Sequence, residues 1–171
     1  MRISAVEEYG LRCLLALARK GSDKQLSIAE IAEIEGISVP YASKLLAILR
    51  RAGLVTAERG RGGGFSIASD PATINLYEVL TALGGPMIDP KHCSRFSGQK
   101  DQCVHTDNCS IHDVLGGLAG YVQMFLSRTT LRDLIAADTG GLLVRTGGHV
   151  EISAIALEQE LGSQDGQTVL E

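Results

Sequence analysis

Three of the chain's four cysteines, Cys93, Cys103 and Cys109, fall in one polar stretch together with His112. Several thiolates converging on one point are what a soft metal or an iron–sulfur centre requires, whereas unrelated buried cysteines scatter through apolar segments. The stretch KHCSRFSGQKDQCVHTDNCSIH has few large apolar side chains besides Phe96, so burial alone does not hold it together. Cys109 and His112 stand three apart at the expected start of a helix, where such a pair shares one face and reaches one centre. His92 and His105 read as solvated side chains. Three chemistries fit these residue types: a structural zinc held as Cys₃His, an iron–sulfur centre, or metal-free thiol redox. Disulfides fit least. No charged start with an apolar stretch marks a signal peptide, and no run of about 20 apolar residues marks a membrane span, so a reducing cytoplasm is expected.

The elements that must position this loop follow from periodicity. Residues 4–19 carry Val6, Leu11, Leu14, Leu15 and Ala18 at near-helical spacing, and Cys13 belongs to this helix as ordinary packing. Ser27 and Glu30 form a capping-box pattern ahead of IAEIAEIE, which Gly36 ends. Ser38 caps the next helix, VPYASKLLAILRRA, with Pro40 in the first turn, where amides lack intrahelical partners anyway. Two helices joined by a brief glycine-containing turn make a helix-turn-helix whose second helix is the reader. LVTAER and FSIA, joined by a glycine-rich turn, add a β-hairpin, and helix-turn-helix plus hairpin is a winged helix. INLYEVLTAL gives a further helix ending at Gly84-Gly85. From Ile111 a long apolar stripe runs through Val114, Leu115, Leu118, Val122 and Phe125 to Leu126, followed by a short helix opened by Thr130 and Asp133.

The fold expected is therefore mainly α with a small β-hairpin wing: a winged helix-turn-helix over 1–84, a cysteine-rich loop over 85–110, a dimerisation helix and short following helix over 111–137, and a flexible acidic tail over 138–171. A long apolar stripe serves either a core or a subunit seam, and a protein that reads paired half-sites needs such a seam.

With 44% hydrophobic residues but only 4% aromatic ones, the composition suits a helical protein better than an aromatic-rich sheet. The net charge of −4 argues against binding nucleic acid by bulk charge. Its placement reverses that reading: residues 1–64 hold 10 Lys/Arg against 7 Asp/Glu, and 138–171 hold 1 against 6. No catalytic constellation competes, because GRGGG lacks the following helix a phosphate-binding loop needs, and an enzyme is not expected.

The MRIS start, GISVPYASKLLAILRRAGLV, the RGRGGGF wing and a three-cysteine loop before a long helix together resemble the Rrf2 family of bacterial transcription regulators over about residues 1–137. The resemblance implies a homodimer that binds a double-stranded DNA operator, with an iron–sulfur cluster of the two-iron or four-iron type held by Cys93, Cys103 and Cys109. It offers two fourth ligands, His112 or Glu8 from the partner subunit. Cys103 and Cys109 keep the family's spacing of five intervening residues, while nine separate Cys93 from Cys103 where five or seven are more familiar.

For DNA, the resemblance places Ser38, Pro40, Tyr41, Ser43 and Lys44 at the start of the reading helix, facing base edges, and Arg59 and Arg61 on the wing, where a narrow minor groove attracts guanidinium groups. Ser43 stands where one branch of the family carries an acidic residue that shapes sequence choice. The function expected is a cytoplasmic repressor whose operator affinity follows the state of a cluster sensing iron, redox state or nitric oxide. The alternatives are a zinc-stapled winged-helix interaction protein and a metal-free thiol-based redox regulator.

Overall fold

The computed structural model describes residues 3–21, 24–58, 60, 63–86, 103, 105, 109–137, 143–146 and 149–152. Helix α1 (Ala5–Lys20) begins at a capping box in which the Ser4 hydroxyl accepts the Glu7 amide and the Glu7 carboxylate accepts the Ser4 amide at 2.7 Å. The same device opens α2 (Ile28–Glu35), with Ser27 and Glu30 bonded reciprocally. These amide and hydroxyl donors from Ser27 hold the Glu30 carboxyl below its ordinary range. Gly36 adopts φ 65° and ψ 34°, a left-handed cap that a side chain would strain, and its amide bonds back to Ala32 and Glu33. The chain can then restart three residues later as α3 (Val39–Arg51), capped by Ser38 with Pro40 in the first turn.

Strands β1 (Val55–Ala57) and β2 (Phe65–Ile67) pair antiparallel, Val55 opposite Ile67 and Ala57 opposite Phe65. The wing has a third contributor that periodicity does not announce. Leu26 bridges Phe65 on the free edge of β2, exchanging backbone bonds of 2.9 and 2.8 Å. At Gly64 an added Cβ would stand 2.6 Å from the Leu26 carbonyl oxygen, so glycine is what lets the wing lie against that segment.

Helix α4 (Leu76–Gly84), capped by Asn75, leads to the cysteine loop. Helix α5 (Ser110–Arg128) leaves it, and α6 (Leu131–Ala137) follows, with Thr130 and Asp133 bonded reciprocally at its start. The α5–α6 joint is stitched to the segment before α4: the Leu76 amide donates to Thr129 and the Leu131 amide to Ile74, each at 2.9 Å. In the segment expected to be a tail, β3 (Leu143–Thr146) and β4 (His149–Ile152) pair antiparallel. The rest of that expected tail lies outside the described residues.

One core joins these helices. Leu14, Leu17, Ile31, Leu45, Leu46, Leu49, Val79 and Leu131 are fully buried, and burying each such side chain favours folding by about 1.5–3 kcal/mol. Trimming Leu45 to alanine at this centre costs about 2–5 kcal/mol. Helix α5 stands apart from that core: Leu126 is its one buried residue, while Val114, Leu118, Tyr121 and Phe125, on one face, are 71%, 58%, 67% and 43% exposed.

Candidate nucleic-acid interface and cysteine site

The α2–α3 turn projects the start of α3 outward. Ser38, Pro40, Ser43 and Lys44 are exposed there, and the Ser38 hydroxyl accepts the Tyr41 amide at 3.4 Å, fixing the first turn. The opposite face of the helix holds it to the core through Ala42, Leu45, Leu46 and Leu49. This is how a recognition helix is built: one stripe buried, the N-terminal turn free to enter a major groove. Tyr41 differs from its four companions. It is half-buried, with its ring edge-on to Tyr9 at a centroid distance of 6.0 Å.

Beyond Tyr9 the contact continues to a charge pair that the sequence reading did not single out. The Arg12 guanidinium lies 5.0 Å from the Tyr9 ring centroid, its Nε donates to the Glu35 carboxylate at 2.7 Å, and a terminal nitrogen donates to the Glu35 carbonyl at 3.3 Å. The Glu35 hydrogen bond raises the Arg12 pKa, and Glu35 itself is buried. A signal for this pair was present. Glu35 falls four residues after Ile31, on the buried face of α2, where a lone carboxylate is too costly to leave unpaired.

At the wing, Gly60 takes φ 120° and its carbonyl accepts the Gly63 amide at 3.0 Å, while the Glu58 amide donates to Gly64 at the same distance. Backbone bonds thus continue past the ends of β1 and β2 as far as Gly60 and Gly63. Arg59 and Arg61, expected to dock on DNA, lie outside the described residues.

The cysteine site is described in part. Cys109 is the N-cap of α5, and its Sγ accepts the His112 amide at 3.4 Å. The expected pair is therefore at one helix start, where unpaired amides and the helix dipole favour a negatively charged ligand set. Cys109 and Cys103 are partly exposed and free of disulfides, whereas Cys13 is fully buried, its thiol pushed up to about 11 by desolvation and, less strongly, by Glu35. The His112 ring is exposed, its Nδ1 3.8 Å from the Asp113 carboxylate. Glu8 is exposed on the first turns of α1. Cys93 lies outside the described residues, and among those described no three His, Cys, Asp or Glu side chains converge on one point.

A family model described as Rrf2, iron-dependent transcriptional regulator, matches residues 3–137. The chain belongs to the Rrf2 family. The HTH-type transcriptional regulator IscR of Yersinia enterocolitica is 31% identical over 135 residues, 79% of either chain. Among solved structures, CymR, the global cysteine regulator of B. subtilis, superimposes with a TM-score of 0.65 at 28% identity, covering 80% of this chain and 98% of its own. IscR of T. potens gives 0.66 at 25% identity, covering 85% and 94%.

These similarities make the chain an Rrf2-type transcriptional regulator with a winged-helix fold, and its relatives are regulators rather than enzymes. Among the described residues, no helix of this Rrf2 protein is long and apolar enough to cross a membrane.

Proposed function

We propose that this Rrf2 regulator is a cytoplasmic homodimeric repressor whose affinity for a double-stranded operator follows the state of an iron–sulfur cluster bound by Cys93, Cys103 and Cys109. His112, or Glu8 of the partner subunit, completes the set. The observation that carries the reading is the position of Cys109: it is both the cap of α5 and a partly exposed sulfur beside His112, so a ligand there acts directly on the start of the helix with the exposed apolar face. Soft sulfur with one imidazole or carboxylate is a donor set suited to a cluster open to change. When bound, such a group supplies one-electron and ligand-exchange chemistry that responds to iron, redox state or nitric oxide.

The chain's own residues do the rest. Ser38, Pro40, Tyr41, Ser43 and Lys44 present the reading helix to base edges, and Arg59 and Arg61 anchor the wing. The exposed stripe of α5 pairs two copies so that two reading helices meet successive half-sites. Binding isotherms at several salt concentrations on an operator selected from random duplexes test this division of labour. Lys44→Ala changes preference among operator variants, whereas Arg59→Ala and Arg61→Ala weaken all of them and lower the salt dependence. Wing variants that bind like the parent contradict it.

A metal-free thiol regulator is the second reading, favoured by the likeness to a global cysteine regulator and by the partial exposure of Cys103 and Cys109. Iron and sulfide content separates the two.

A further inference from the structure

Four residues on three helices form a continuous brace behind the reading helix. Glu35 is the last residue of α2 and Tyr41 lies in the first turn of α3, so they bracket the turn that aims the reader. Both are gripped from α1 by residues one helical turn apart: Tyr9 meets the Tyr41 ring at 6.0 Å and 76°, and Arg12 holds the Glu35 carboxylate at 2.7 Å and its carbonyl at 3.3 Å. The Arg12 guanidinium over the Tyr9 ring, at 5.0 Å, ties the two grips into one unit. The Gly36 cap and the Ser38 hydroxyl bond fix the local path of the turn, but neither fixes its tilt against the rest of the domain. The brace does.

We propose that Tyr9, Arg12 and Glu35 are positioning residues for operator choice: they set the angle at which Tyr41 and the first turn of α3 enter the groove, without reading a base themselves. The proposal rests on the DNA-binding reading above. Hydrogen bonds to base edges are directional and tolerate only small displacements, so a reading helix released from its brace keeps its phosphate contacts while its base contacts blur. Loss of the brace therefore lowers discrimination more than affinity. Arg12 is suited to the task because its planar fork engages carboxylate and carbonyl together, which a lysine does not do.

The test uses the full chain and an operator selected from random duplexes, with a second duplex substituted at the base pair that Tyr41→Ala identifies as its contact. Tyr9→Phe keeps the ring and retains the parent's ratio of affinities for the two duplexes, while Tyr9→Leu, Arg12→Lys and Glu35→Gln each lower that ratio by about threefold or more. The slope of affinity against salt stays unchanged, because no phosphate contact is lost. Circular dichroism and thermal melts confirm that each variant is folded, and Arg12→Lys and Glu35→Gln keep the test decisive if Tyr9→Leu does not fold. Folded Arg12→Lys and Glu35→Gln with the parental ratio overturn the proposal. So does an Arg12→Gln variant with a lower salt slope and an unchanged ratio, since Arg12 is then a phosphate contact. A parent chain that selects no DNA overturns the DNA-binding reading as well, which distinguishes the two failures.

Discussion

The Sγ of Cys109 accepts the backbone amide of His112, 3.4 Å away, so one sulfur caps α5 and stands beside a second candidate ligand. A cap and a soft ligand respond differently to substitution. Cys109→Ser restores a good capping oxygen but removes the soft donor, and Cys109→Ala removes both, at an added cost to α5 of about 1 kcal/mol. The expected outcome is that Cys109→Ser melts close to the parent yet loses the visible absorption of the anaerobically isolated protein. If the absorption survives in Cys109→Ser, Cys109 serves only as a cap.

His112 and Glu8 compete for the fourth ligand position. His112 needs no second chain, being one turn beyond Cys109, and Glu8 is presented on the first turns of α1. His112→Ala is expected to shift the visible spectrum and hasten loss of the bound group, with Glu8→Ala near the parent. The reverse pattern, read by absorption and circular dichroism of both variants, assigns the position to Glu8.

The exposed face of α5 predicts the oligomeric state. Val114 and Leu118 are exposed within one chain, so charging them costs the isolated fold little. Val114→Asp with Leu118→Asp is expected to convert a dimer to a monomer in analytical ultracentrifugation while leaving helical content intact. A variant that sediments like the parent, or a monomeric parent, contradicts the assignment of this face as the seam.

Much of the helical part was legible because its signals are local. The Ser27/Glu30 box, the Gly36 cap and Ser38 with Pro40 each act within a turn, and the observed bounds of α2 and α3 match the sequence reading to within a residue. The stripe on α5 was visible but its partner was not, since a core and a subunit seam demand the same periodicity. Only the structure separates Leu126, the buried end of that stripe, from Val114, exposed. The Leu26 bridge to Phe65 and the Arg12–Glu35 pair were missed for a different reason: each joins residues distant in sequence, one by a single-residue strand with no period, the other by a charge hidden in an apolar pattern. The cap on α5 escaped notice because cysteine is not among the usual capping residues.

Cys13 gives a pH signature independent of the metal question. Folding holds its thiol at about 11 against an ordinary 9.0, so the folded state favours the neutral form. That contribution is complete below about pH 9 and is lost as the pH rises toward 11. The stability difference between the parent and Cys13→Ala, from urea unfolding, is expected to stay constant up to about pH 9 and to shift against the parent above it. In native alkylation of protein stripped of bound metal, Cys103 and Cys109 react first and Cys13 last, since Cys13 is fully buried. A Cys13 as reactive as Cys103 at neutral pH contradicts this assignment.

The central claim is that the chemistry of the cysteine loop controls the grip on DNA. Its most direct test is operator affinity measured without oxygen on protein isolated anaerobically from iron-replete cells, before and after removal of bound metal, with iron, zinc and acid-labile sulfide quantified on the same samples. The account predicts iron with sulfide, a change in affinity of about tenfold or more on removal, and Cys103→Ala behaving like the stripped protein throughout. Stoichiometric zinc without sulfide, or equal affinity before and after removal, contradicts it.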